Sequence, residues 1–186
     1  MKKFVVIEGD NGTGKDTLAK QMEPLGYNII TYTSDAKNAE MKPRTLCGED
    51  KLQSFLEYNK MCGLIAESSD TPSLLIRYWI STLAAAHADQ LWMWEKVNTK
   101  ISSCIAHFPT PSLVIQLKCD FSVRNDRVTT RGPSDDNMCL ERDIRYSWAL
   151  DEIRKHFASW EVIDTTSLSQ LEVFQVAQEI TKPRGL

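Results

Sequence analysis

What this 186-residue chain lacks already narrows its class. It carries 22 Lys and Arg against 25 Asp and Glu, a net charge of −3, so it has no positive field to make nucleic acid its main partner. No apolar run approaches the roughly 20 residues that a bilayer-spanning helix needs. The N-terminus opens on a strand pattern rather than a signal peptide, so no membrane partner is expected. The three histidines stand well apart, which gives a zinc site little support. The five cysteines (Cys47, Cys62, Cys104, Cys119, Cys139) are odd in number and form no CxxC pair, so they read as reduced thiols of a cytoplasmic protein. Internal repeats, linkers and low-complexity segments are also missing. Residues 1–186 are therefore expected to form one domain with a good core.

What is present centres on Gly9-Asp10-Asn11-Gly12-Thr13-Gly14-Lys15-Asp16-Thr17. The β-branched run Lys3–Glu8 before it predicts a buried strand, and Asp16–Met22 after it predicts the first turns of a helix. Strand, glycine-rich turn and helix N-terminus together form the setting of a P-loop. Glycines let the backbone N–H groups curl inward, the helix start adds positive potential, and Lys15 reaches the outer phosphates. Gly9, Asn11, Gly12, Thr13, Gly14, Lys15, Asp16 and Thr17 are thus the candidate nucleotide-binding residues. One position departs from the pattern. A Ser or Thr normally follows the lysine to place a hydroxyl on Mg²⁺, and here Asp16 follows it.

Short apolar runs then alternate with helical patterns, which predicts a parallel α/β sheet. Strands are expected at 27–32, 72–78, 112–118 and 160–164. Helices are expected from 16 to Gly26 and at 50–67, 80–107, 121–131, 139–158 and 168–180. Residues 33–48 read as a loop, and Gly132–Asp136 as an exposed polar break.

These residues resemble the thymidylate kinase family of P-loop nucleoside monophosphate kinases over nearly the whole length. The resemblance rests on Ile7-Glu8-Gly9 entering the P-loop and on Arg77-Tyr78-Trp79-Ile80-Ser81-Thr82-Leu83-Ala84, which is similar to the family's D-R-Y-x-x-S-x-x-A stretch. Asn59-Lys60, Arg131-Gly132 and Val162-Ile163-Asp164 are weaker matches. The resemblance implies a five-stranded parallel sheet in the order 2-3-1-4-5 with helices on both faces. It also implies ATP and Mg²⁺ as cofactors, a small-molecule nucleotide substrate, a lid at about 131–142 and a homodimer.

By the same resemblance, Lys15, Arg77, Arg131 and Arg142 are catalytic candidates, and Arg145 flanks the lid with them. Glu8, Asn11, Phe55, Lys60, Arg77, Tyr78 and Ser81 are candidates for holding the acceptor, and Asp16 and Thr17 for holding the metal. Phosphoryl transfer relies on positioning and charge neutralisation, which suits so cationic a set.

The departures from the family point elsewhere. Ile76 stands where the family has the Asp of its D-R pair, and Asn11 replaces the P-loop acid that holds the acceptor sugar. Ala85 and Ala86 replace the Tyr-Gln that helps to recognise thymidine, which enlarges the acceptor pocket. Lys118 occupies a position that is often Asp. Thr31–Asp35 has no counterpart of the family's Arg-Glu-Pro loop. The expected activity is ATP- and Mg²⁺-dependent phosphorylation of dTMP or a related, modified pyrimidine deoxynucleotide. Two alternatives stay open: a kinase for another acceptor (a nucleoside, or a base within a polynucleotide), and an inactive nucleotide-binding relative.

Overall fold

Strand β1 (Phe4–Gly9) is buried along its whole length, and its side chains alternate between two cores. Phe4 and Val6 point to one face of the sheet, Val5 and Ile7 to the other. The computed structural model describes residues 4–31, 48–130 and 139–182. In it β1 is the middle strand of a five-stranded parallel sheet with β2 (Asn28–Thr31), β3 (Ser73–Ile76), β4 (Leu113–Lys118) and β5 (Trp160–Asp164). The order is β2-β3-β1-β4-β5, as expected. Strand β1 is flanked by β3 and β4, so chain order reverses across it. Crevices that hold ligands open at the carboxyl ends of strands at such a point.

Helices α1 (Lys15–Met22) and α7 (Gln170–Thr181) cover one face through Leu18, Ala19, Met22, Val173 and Ala177. Helices α2 (Gly48–Ser68), α3 (Trp79–Ala88), α4 (Trp94–His107) and α6 (Leu140–Arg154) contribute to the larger core on the other. Its largest side chain is Trp79, stacked on Phe157 with centroids 5.7 Å apart. Helix α5 (Phe121–Thr130) runs off the carboxyl end of β4. Two ends follow local chemistry closely. After α1 a 3₁₀ turn (Glu23–Leu25) stops at Gly26 in the left-handed conformation, φ 92°. Helix α7 starts on a reciprocal capping box between Ser169 and Glu172.

The expected helix over 80–107 is two helices. Asp89 ends α3, Gln90 turns left-handed at φ 57°, and the Leu91 and Trp92 amides fold back onto the Ala86 carbonyl. No Gly or Pro marks the break. It comes from packing: Ala-rich α3 is buried nearly all round, amphipathic α4 along one stripe only, and Trp92 turns inward between them. Trp92 therefore joins the core rather than an apolar outer face, where Met93 at 77% exposure stands instead. The expected loop at 33–48 lies outside the described residues except Gly48, which begins α2, and so does most of the expected lid.

Candidate active site

The P-loop leaves β1 through Gly9 at φ 139°. A Cβ there would lie 2.4 Å from the Leu117 carbonyl oxygen, so only glycine lets β1 and β4 close on each other. At Gly12 (φ 79°) a Cβ would press on the backbone of α5 at Arg124. The loop thus folds tightly against its neighbours. The Asp10 carbonyl accepts from the Thr13 hydroxyl at 2.8 Å and from Lys15 Nζ at 2.6 Å. Lys15 is almost fully buried, and that burial pulls its pKa well down. The Arg77 charge adds to this, while Asp16, Asp10 and Glu8 oppose it.

Arg124 clamps the loop from outside. Its Nη1 donates to the Asn11 carbonyl at 3.0 Å and lies 3.4 Å from Asp10, and its Nη2 pairs with Asp143. Burial raises the Asp143 pKa to about 6, helped by the nearby Asp10 carboxylate. Asp10 is held below its ordinary value despite its own burial, by Asp143, the Asn11 amide and Arg124.

Two cavities flank the loop. One, of about 600 Å³, is lined by Gly12, Thr13, Gly14 and Thr17 of the loop, Arg127 of α5, and Thr165–Val173 beyond β5. The other, of about 770 Å³, lies between α2, α3 and the carboxyl ends of β2 and β3. Phe55, Asn59, Arg77, Ser81, Ala85 and Arg142 are among its walls, and Asp16 stands at its edge. Both fall within the roughly 300–1,000 Å³ of ordinary small-molecule sites. Asp16 and Thr17, adjacent in sequence, face different cavities.

Arg77 is the central one of three cations that line the second cavity, with Lys51 and Arg142. Its backbone is left-handed (φ 70°), and its guanidinium donates to Asn11 Oδ1 at 2.6 Å and to the Tyr146 hydroxyl at 3.3 Å. Both partners are neutral, and among the described residues no carboxylate forms an ion pair with it. Arg142 stands on the same cavity's rim, tied to Asp89 at 2.6 Å and 4.0 Å from Asp10. Arg145 instead caps the end of α3 through the Ala88 carbonyl, and Arg131 lies outside the described residues.

The other acceptor candidates separate. Phe55 and Ser81 line the cavity. Tyr78, although at its wall, is fully buried, with its hydroxyl on the Pro109 carbonyl and its ring against Phe4 and Phe108. Glu8 is buried beneath the cavity, where it accepts from the Tyr78 amide at 2.9 Å and from the Ser81 hydroxyl; burial pushes its pKa up to about 7. Lys60 is exposed, its Nζ 5.9 Å from the Phe108 ring centroid. It is not beside Arg77, because one residue beyond Asn59 the helix has turned about 100° away. Lys118, at the position often held by Asp, pairs with Asp151.

Sequence reasoning missed Arg124, Arg127, Asp143 and Tyr146. The one local signal was Arg124 and Arg127 three apart on one face of a polar helix. Arg127 bonds the Thr165 carbonyl at 2.8 Å and the Gly12 carbonyl at 3.4 Å, joining the P-loop to the segment after β5.

No protein-family model and no curated protein matches the chain in sequence. Solved structures do match in three dimensions. Thymidylate kinase from Candida albicans superposes with a TM-score of 0.71 over 98% of this chain and 92% of its own, at 14% identity. Deoxyadenosine kinase from M. mycoides with bound dATP gives 0.69 over 96% and 99%, at 16% identity. The same enzyme with dCMP and dCDP gives 0.66 over 97% and 98%, at 15%. The chain therefore has the fold of nucleoside and nucleotide kinases.

Proposed function

We propose that this protein is a P-loop kinase that moves the γ-phosphoryl group of ATP onto a deoxynucleoside monophosphate, dTMP or a related pyrimidine nucleotide. One observation carries the reading: Arg77, a half-buried cation that among the described residues hydrogen-bonds neutral side chains and forms no ion pair, faces a nucleotide-sized cavity across the P-loop from a second one. A guanidinium left without a counter-ion in such a site is matched by an anionic ligand, and its fork suits a monophosphate. A neutral nucleoside would leave it unmatched.

In this reading ATP lies along the cavity beside Arg127, with its phosphates in the loop. Lys15 reaches the outer phosphates and, with Arg142 on the rim of the acceptor cavity, neutralises charge that builds up during transfer, while Arg77 holds the acceptor phosphate. Phe55 offers a face for the acceptor base, and Ala85 leaves room beside it. Asp16 and Thr17 offer a carboxylate and a hydroxyl on either side of the loop. These are oxygen donors that suit Mg²⁺, a hard cation that takes its remaining ligands from phosphate and water. Mg²⁺ would contribute charge neutralisation on the phosphates.

The test is ATP consumption over a panel of nucleosides and their monophosphates, with the product identified. Turnover of monophosphates to diphosphates is expected. Preference for dTMP over dUMP and 5-substituted analogues should be weak, because Ala85 puts only a methyl on the cavity wall; Ala86, the other expected pocket residue, is buried in the core instead. Turnover of nucleosides alone, or ATP turnover with no acceptor in the panel, would overturn the reading.

A further inference from the structure

Arg77 occupies a conformation that a non-glycine residue holds only when its surroundings over-determine it. The backbone part is clear. Its amide donates to the Ile7 carbonyl at 3.0 Å, continuing the β3–β1 ladder, and the next amide, of Tyr78, is caught by Glu8 at 2.9 Å. The side chain is held by a chain of hydrogen bonds that runs one way. Arg77 Nη1 donates to the Tyr146 hydroxyl, that hydroxyl donates to Ser81 Oγ at 3.2 Å, and Ser81 donates to Glu8 Oε2. Tyr146 (1% exposed), Ser81 and Glu8 are all buried, so water does not compete for these groups.

We propose that Tyr146 is a positioning residue for Arg77, the middle of a relay that aims the guanidinium at the acceptor phosphate and links it to Glu8 without an ion pair. This rests on the acceptor reading above and adds to it how that cation stays available. A guanidinium has only donors, so Arg77 donates to Tyr146, and the Tyr146 and Ser81 hydroxyl protons then point on toward the Glu8 carboxyl. A carboxylate in direct contact would fix the guanidinium as well, but would also compete with the acceptor for it. Two interposed hydroxyls hold its orientation and leave its other N–H donors and most of its charge to the cavity. The relay joins β1, α3 and α6, elements distant in sequence, which explains how a short left-handed residue stays aimed.

The experiment is Tyr146→Phe, which deletes the hydroxyl and keeps the ring under Arg142. The acceptor KM should rise about 10-fold, the scale of a lost hydrogen bond to a charged group, with kcat and the ATP KM changed less than about two-fold. Ser81→Ala should do the same, and the double variant should be no worse than Tyr146→Phe alone, because both cut one chain. In ¹⁵N spectra the Arg77 guanidinium, assigned by its loss in Arg77→Lys, should show hindered rotation in the wild type and free rotation in Tyr146→Phe. An unchanged acceptor KM with an unchanged guanidinium spectrum would overturn the relay. So would equal losses for ATP and acceptor accompanied by a lower melting temperature. If the wild type turns over no monophosphate, the acceptor reading falls, and the guanidinium spectrum alone then upholds or overturns the relay.

Discussion

The two cavities beside the P-loop use their arginines in opposite ways. In the cavity beside α5 and the segment after β5, Arg127 is fully engaged with the carbonyls of Thr165 and Gly12, and acts as a strut that sets the wall. In the cavity between α2 and α3, the Arg77 guanidinium hydrogen-bonds, among the described residues, an amide oxygen and a hydroxyl, and it lines the cavity. The first side presents the P-loop backbone and an arginine already occupied as a strut. The second is built around a charge. A nucleotide whose phosphates are already held by the loop needs no further cation on the first side, whereas an acceptor with one phosphate depends on the second.

Removing Lys15, which the proposed function places on the outer phosphates, should have the largest effect. Lys15→Ala should lower kcat by about 10³-fold or more with the fold unchanged, read by steady-state kinetics and circular dichroism. A folded variant with near-normal turnover would remove Lys15 from the mechanism.

Arg77→Gln tests the asymmetry itself. Acceptor kcat/KM should drop by about 10²-fold while the ATP KM stays within about two-fold, since a lost charge-assisted contact costs about 1.5–3 kcal/mol. Arg127→Gln should show the reverse bias, toward ATP. Equal effects of the two variants on both substrates would erase the distinction.

A smaller effect is expected at Asp16, on the boundary between the cavities. Asp16→Ser should raise the Mg²⁺ concentration for half-maximal rate about 10-fold, and adding Ile76→Asp should restore it. Unchanged Mg²⁺ dependence would leave Asp16 as a helix-start residue only.

The smallest effect is on stability, and its sign follows from Glu8. Burial lifts its pKa from an ordinary 4.5 to about 7, so between those values the native state keeps a proton that the unfolded chain has lost. Stability conferred by this group is therefore full below about pH 4.5 and declines as pH rises to about 7. Asp143, raised to about 6, adds to the fall over the lower part of that window. Melting temperature should decrease across this range, and Glu8→Gln should flatten the slope. A slope that Glu8→Gln leaves untouched would show that this carboxyl is not the titrating group.

The side of the site near the P-loop was legible because one contiguous stretch encodes it. Strand, glycines, lysine and helix start lie within Phe4–Met22; the alternation of apolar runs marked the strands, and their order came from the family resemblance. The acceptor side was only half legible. Arg77, Phe55 and Ser81 came from the family resemblance, but the groups that aim Arg77 come from Asn11 and Tyr146, 66 and 69 residues away. No periodicity encodes a hydrogen bond across such a distance. Lys60 misled for a related reason: a cation next to Asn59 in sequence lies on another face of the helix. The break between α3 and α4 was hidden because burial of Trp92, not a breaker residue, causes it.

The account's central claim is that two nucleotides lie on opposite sides of one loop, with Arg77 serving only the acceptor. The most direct test is binding of a bisubstrate nucleotide, adenosine joined to thymidine through five phosphates, measured by calorimetry in the wild type and Arg77→Gln. The account predicts that it binds at least about 10-fold more tightly than ATP or dTMP alone, and that Arg77→Gln removes this gain while leaving ATP affinity unchanged. Binding no tighter than ATP, with the same affinity in Arg77→Gln, would contradict it.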